Sequence, residues 1–292
     1  MIFSCMPPIG GDEREVVLLA QSIRKFGGRF AHQPIWVIDP QQAPLTAAAR
    51  LALAACGVEI RPFILPEASL DFPFAPKVYA AAEAETLAGS SLLVWLDPDT
   101  LVLDEPLDFQ LAPPYGFGAC PVHLKNISSL SDQPVDGFWQ ILYSGCGVKA
   151  ERIFPINTVM DGSSVRAHFN DGLLVTHPGL KILNTWKDHF DRLYRSADLA
   201  PYYARSPLYA IFVHQAVLAA TVLARLPFEQ IQIFPACYNL PLFLLQRFPA
   251  MVQRPVTARY DEYTFLHSAQ SYRAVLTGEQ AAWLCEALAT RG

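Results

Sequence analysis

The chain has 292 residues, enough for one large domain or two small ones. Hydrophobic residues make up 52% and charged residues 17%, which excludes a disordered chain. A formal net charge of -5 argues against a nucleic-acid binder, whose surface carries a basic face, and no stretch of sequence reads as a bilayer-spanning segment.

Ile2-Phe3-Ser4 reads as a short opening strand. The first residues, Met1 to Cys5, lack a basic segment, so no signal peptide and a cytoplasmic location are expected. From Asp12 to Lys25, apolar residues at Val16, Leu19, Ala20 and Ile23 have helical spacing, and Gly27-Gly28 supplies the stop. Pro34 to Asp39 is the next strand, Thr46 to Ala55 an alanine-rich helix ending at Gly57, and Val58 to Arg61 a third strand. Pro76 to Leu87 is a helix with proline in its first turn, where the missing N–H costs nothing. This alternation predicts an α/β fold with a mostly parallel central sheet flanked by helices and right-handed crossovers.

The next strand carries the strongest signal. Ser91-Leu92-Leu93-Val94-Trp95-Leu96 runs unbroken into Asp97-Pro98-Asp99, followed by Thr100-Leu101-Val102-Leu103. A continuous apolar run is a strand buried on both faces, and in an open parallel sheet ligands bind beyond the carboxyl ends of the strands. Two carboxylates two residues apart at such an edge repel unless a cation sits between them. Mg²⁺ or Mn²⁺, held by one or two carboxylates plus substrate phosphates, is the natural candidate. An Asp-x-Asp tripeptide is also common as a solvated turn.

Residues from about 111 to 166 mix proline, glycine and aromatics, and are expected to form an insertion covering the ligand edge. Within it, Phe138 and Trp139 are candidates to stack on a sugar ring, with His123, Lys125 and Asn126 as hydroxyl partners; the alternative is that both rings pin the segment to the core. Phe169 to Thr176 reads as a strand opened by Asn170-Asp171-Gly172, Leu180 to Ala197 as an amphipathic helix, and Tyr209 to Leu223 as an apolar helix. Thr277-Gly278-Glu279-Gln280 is a capping box opening the last helix. The six cysteines (Cys5, Cys56, Cys120, Cys146, Cys237, Cys285) are scattered and read as buried thiols.

Four segments in order resemble the GT-A glycosyltransferases, most closely the family-8-like retaining enzymes that use nucleotide sugars. They are Leu93 to Thr100, similar to the metal-binding Asp-x-Asp strand; Phe169 to Val175, similar to the Asn-x-Gly strand beside the donor sugar; His214-Gln215-Ala216-Val217-Leu218, similar to the Asp-Gln helix start; and Phe265-Leu266-His267-Ser268, similar to the late strand carrying a metal-binding histidine. The resemblance implies a single GT-A (Rossmann-like) domain over 1–292. Residues 1–110 would be the nucleotide-binding half, 111–166 the cover, and 167–292 the donor-sugar and acceptor half with a C-terminal helix. It implies Mn²⁺ or Mg²⁺ on Asp97, Asp99 and His267, catalytic roles for Gln215 and Asp171, and substrate contacts from Asn170, Asp171 and His214. Lys77, in the first turn of its helix shortly before the metal strand, reads either as a contact to phosphate or sugar or as a solvated lysine. The implied activity moves a sugar from a nucleoside-diphosphate sugar, UDP-linked by expectation, to a carbohydrate or other glycan-type acceptor with retention. No transmembrane segment and no nucleic-acid partner are expected. Peripheral membrane contact stays open.

The sequence departs from the family pattern in having His214 where that family has aspartate, and in lacking the glycine and lysine that follow the metal histidine. A catalytically silent nucleotide-sugar binder is therefore a competing reading. A sugar nucleotidyltransferase is another, although Pro7-Pro8-Ile9-Gly10-Gly11-Asp12-Glu13-Arg14 matches its glycine-rich loop poorly.

Overall fold

The computed structural model describes residues 1–248, 253–261, 272 and 275–289. The amino-terminal part alternates as expected: β1 (Ile2–Cys5), α1 (Arg14–Phe26), β2 (Ile35–Pro40), α2 (Ala47–Ala55), β3 (Val58–Phe63), short α3 (Glu67–Leu70), α4 (Ala75–Ala88), β4 (Leu93–Leu96) and β5 (Thr100–Val102). There follow β6 (Phe117–Pro121), α5 (Gly137–Cys146), the hairpin β7 (Pro155–Asn157) and β8 (Ser164–Arg166), and the long β9 (Phe169–Thr176). Then come α6 (Ile182–Leu193), α7 (Ala200–Arg205), α8 (Pro207–Arg225), β10 (Ile231–Ile233), β11 (Leu240–Pro241), β12 (Thr257–Arg259) and α9 (Gly278–Ala289).

Seven strands form the central sheet in the order β10-β6-β9-β4-β1-β2-β3. All its neighbours run parallel except β9, which is antiparallel to both β4 and β6. The chain moves outward from β1 through β2 to β3, then returns to place β4 on the other side of β1. The crevice at the carboxyl ends of β1 and β4 is thus a topological switch point, where open α/β sheets bind ligands. A second sheet, β11-β12-β5, holds the chain that leaves β4, with Arg259 opposite Thr100.

Local chemistry explains the elements. Thr46 caps α2 by accepting from the Ala49 amide. The Thr277 hydroxyl and Gln280 side chain exchange hydrogen bonds with each other's amides, so the capping box forms. The alanines of α4 at 80, 81, 84 and 88 are buried, and their small size lets the helix lie close to α6 and the sheet. From α4, buried Glu85 accepts the amides of Leu183 (3.1 Å) and Asn184 (2.8 Å). It satisfies the first donors of α6, which has no side-chain cap of its own.

Two expectations need correction. Residues 111–166 are not an insertion laid over the sheet. They supply β6, an interior strand, and α5, on which Phe138 and Trp139 are both fully buried. The Trp139 indole donates to the Ile127 carbonyl at 2.7 Å, and Phe138 packs against Tyr202 and Tyr209. The two rings pin the segment to the core. Helix α8, moreover, has the length and hydropathy of a membrane span, with 19 residues and a mean hydropathy of 1.7. From Val213 to Leu223 it is buried, and it packs on β9, α5 and α6 as a core helix.

Candidate active site

The loops after β1 and β4 and the start of α4 enclose a cleft of about 360 Å³ at the switch point. Met6, Pro7, Pro8 and Ile9 line it on the β1 side, Asp97, Pro98 and Asp99 on the β4 side, and Phe74, Pro76 and Lys77 from α4; Glu15 and Arg259 complete the wall.

Asp97 follows the last residue of β4, and its amide donates to the Gly172 carbonyl across the β4–β9 pair at 2.8 Å. That bond fixes the carboxylate at the sheet edge. Lys77, one turn into α4, places its ammonium 2.9 and 3.0 Å from the two Asp97 oxygens and 3.1 Å from Asp171 Oδ1. All three side chains are buried. Burial by itself would lower the Lys77 pKa, but the Asp171 and Asp97 charges outweigh it and hold the pKa above the ordinary lysine value. Lys77 is therefore a fixed cation joining two strand ends.

Asp171 has no exposed surface. Gln215 Nε2 donates to its Oδ1 at 2.9 Å, and His214 Nε2 lies 2.9 Å from its Oδ2. Burial would raise the Asp171 pKa, yet His214, Lys77 and the Gln215 hydrogen bond hold it well below the usual carboxylate range. Asn170 Oδ1 accepts from the Gly172 amide (2.8 Å) and from Asn239 Nδ2 (3.0 Å). Asn170, Asp171 and Gln215, expected at the donor-sugar pocket, lie behind the cleft wall. All three are buried, and Asp171 reaches the cleft wall through Lys77.

His214 stacks on Phe74, with ring centroids 5.0 Å apart. Phe74 holds a left-handed backbone (φ 57°) and is half exposed. A non-glycine residue in that region is strained, and such strain concentrates at functional sites. The only hint in the sequence is the pair of prolines, Pro73 and Pro76, that flank Phe74-Ala75. His123, expected as a hydroxyl partner, instead bonds the Asn239 carbonyl with its Nε2 at 2.8 Å, and burial lowers its pKa to about 3.

Arg259 went unrecognised in the sequence. Its guanidinium donates from Nε (3.1 and 3.0 Å) and Nη2 (2.6 Å) to the Asp99 carboxylate, while Nη2 also lies 3.5 Å from Asp97 Oδ2. Nothing in the run Val256-Thr257-Ala258-Arg259 signals this, because antiparallel pairing with β5 brings Arg259 to Asp99. At the cleft wall, burial first and then Asp99 and Asp12 raise the Glu15 pKa to about 8.

Asp97 Oδ2 and Asp99 Oδ2 thus converge on a single cationic atom. Two hard oxygens aimed at one point suit Mg²⁺ or Mn²⁺. Among the described residues, no set of three His, Cys, Asp or Glu side chains is arranged for a metal. His267, the expected third ligand, lies outside the described residues.

Residues 10–221 match the family model described as "Rhodobacterales glycosyltransferase domain". No curated protein sequence matches the chain. The solved structure of the galactosyltransferase LgtC in complex with donor and acceptor sugar analogues is similar over 100% of this chain and 98% of that one, with 16% identity and a TM-score of 0.59. An active-site glutamine-to-glutamate mutant of LgtC aligns over the same shares with 14% identity and a TM-score of 0.58. The apo form of mouse xyloside xylosyltransferase 1 aligns over 90% of this chain and 98% of that one, at 12% identity and a TM-score of 0.47. The likeness to LgtC is one of fold, the GT-A arrangement of a mostly parallel sheet between helices.

Proposed function

The chain belongs to the Rhodobacterales glycosyltransferase domain family, and we propose that it transfers a sugar from a nucleoside-diphosphate sugar, UDP-linked in our reading, to a glycan-type acceptor with retention at the anomeric carbon. The observation that carries this reading is the meeting of Asp97, Asp99, Lys77 and Arg259 in one cleft at the switch point of the sheet.

Each residue has a role set by its position. Asp97 and Asp99 would hold a divalent ion, with His267 as a third ligand. When bound, that ion supplies positive charge to the departing diphosphate. Lys77 is locked between Asp97 and Asp171, so its charge is in place before the reaction and needs no reorganisation. Asp171 fixes Lys77 and the Gln215 amide together, so its part is positioning. LgtC has an active-site glutamine. In our reading Gln215 takes the corresponding part here, its amide held by the hydrogen bond from Nε2 to Asp171 Oδ1. An amide is a weak nucleophile, so its contribution is electrostatic. His214 lies behind the cleft wall, stacked on Phe74, and Phe74 offers the cleft a flat apolar face.

The test is donor hydrolysis and transfer with a panel of UDP- and GDP-sugars in Mn²⁺, with NMR of the product's anomeric proton. The expected result is turnover of one donor class with retained configuration, reduced about 100-fold in Asp99→Asn. Inversion would overturn retention. Binding without turnover of any donor would overturn the transfer reading.

A further inference from the structure

The contacts of Arg259 exceed those of an ordinary surface ion pair. Its guanidinium holds both oxygens of Asp99 and approaches Asp97 from the same side. Arg259 Nη2 lies 2.6 Å from Asp99 Oδ2 and 3.5 Å from Asp97 Oδ2, so the guanidinium stands at the two carboxylates that would hold a divalent ion. The ion and the guanidinium repel and cannot share that space, so one must leave. The backbone of Arg259 is fixed by pairing with Thr100 and by the hydrogen bond from the Tyr260 amide to the Asp99 carbonyl at 3.1 Å. Only the side chain is free to turn, and it turns within the cleft it lines beside Lys77, Pro7 and Pro8.

Resting on the donor reading above, we propose that Arg259 is an internal counter-ion of the Asp97–Asp99 pair, displaced by the divalent ion and transferred to the donor's diphosphate. The charge count supports an exchange. Asp97, Asp99 and Asp171 carry three negative charges against two positive ones on Lys77 and Arg259. A divalent ion added alone overfills the site and strands the guanidinium. An ion added with the two negative charges of a sugar diphosphate returns the site to its original net charge, and the released guanidinium finds a bidentate anionic partner. Metal and nucleotide therefore bind as a pair, each weak without the other. Arg259 is then a diphosphate-binding residue that the sequence motifs do not contain.

The experiment measures Mn²⁺ binding from the free-ion EPR signal, for the parent protein and Arg259→Met, with and without UDP. Circular dichroism serves as a check on folding. Met keeps much of the apolar stem and removes the charge. Without nucleotide, Arg259→Met binds Mn²⁺ about tenfold more tightly than the parent, and with saturating Mn²⁺ it binds UDP about tenfold more weakly. Arg259→Lys, which keeps the charge but loses the fork, falls between the two and decides the matter if the methionine variant does not fold. Mn²⁺ affinity no higher in the variants than in the parent, including no binding to any of them, overturns the exchange. Failure of the parent to bind UDP in Mn²⁺ overturns the donor reading instead, and the metal-only comparison still decides the role of Arg259.

Discussion

A side chain on residue 172 would collide with Asp97. A Cβ built on Gly172 falls 2.9 Å from Asp97 Oδ2 and 2.9 Å from Asn170 Oδ1, closer than real Cβ contacts come. Glycine stands here because β9 passes directly over the carboxylate at the end of β4. Gly172→Ala is expected to destabilise the fold by about 1–3 kcal/mol, as overpacking does, and to displace Asp97. Urea unfolding and donor hydrolysis check this together. A variant with parental stability and activity would show that the carboxylate has room to move.

Lys77 neutralises two buried carboxylates. Lys77→Met removes the cation between Asp97 and Asp171, and a loss of about 3–5 kcal/mol is expected from breaking a buried charge pair. Asp171→Asn in the same background should return part of that loss. A double-mutant cycle by chemical denaturation measures the coupling, and additive losses would contradict the linkage.

Trp139 is a core residue, so Trp139→Ala is expected to cost about 3–5 kcal/mol of stability. The KM for acceptor in the remaining folded enzyme should be unchanged. A raised KM with parental stability would restore the idea that this ring binds a sugar.

Burial lowers the pKa values of His123 and His168 from 6.5 to about 3. Between those limits the unfolded chain binds protons that the folded one refuses. Each histidine therefore contributes stability at neutral pH that is lost as the pH falls through this window, at about 1.4 kcal/mol per pH unit. NMR titration should find both rings neutral at pH 5. His168→Asn should flatten the stability–pH curve by about that slope between pH 6 and 4, measured against the parent protein.

Periodicity and punctuation in the sequence were enough to find β1 to β4, the three longer helices between them and the whole of β9, because alternating strands and helices bury their apolar residues locally. The Asp97-Pro98-Asp99 turn was legible for the same reason, since an apolar run that ends in carboxylates must end at a sheet edge. The placement of β6 inside the sheet was not legible. Phe117 to Pro121 is short and carries a glycine, and its strand character comes from pairing with β9 and β10. The antiparallel direction of β9 is likewise a choice of connection, which no local pattern encodes. Within the site, sequence motifs pointed to Asp97, Asp99, Lys77, Asp171 and Gln215. Only the tertiary structure joined Asp171 to Asp97 through one lysine and brought Arg259 across 160 residues to Asp99. Local sequence specifies which segments form strands and helices and which faces are apolar. Long-range pairing decides which charges meet, and the low dielectric of the buried site makes those meetings count.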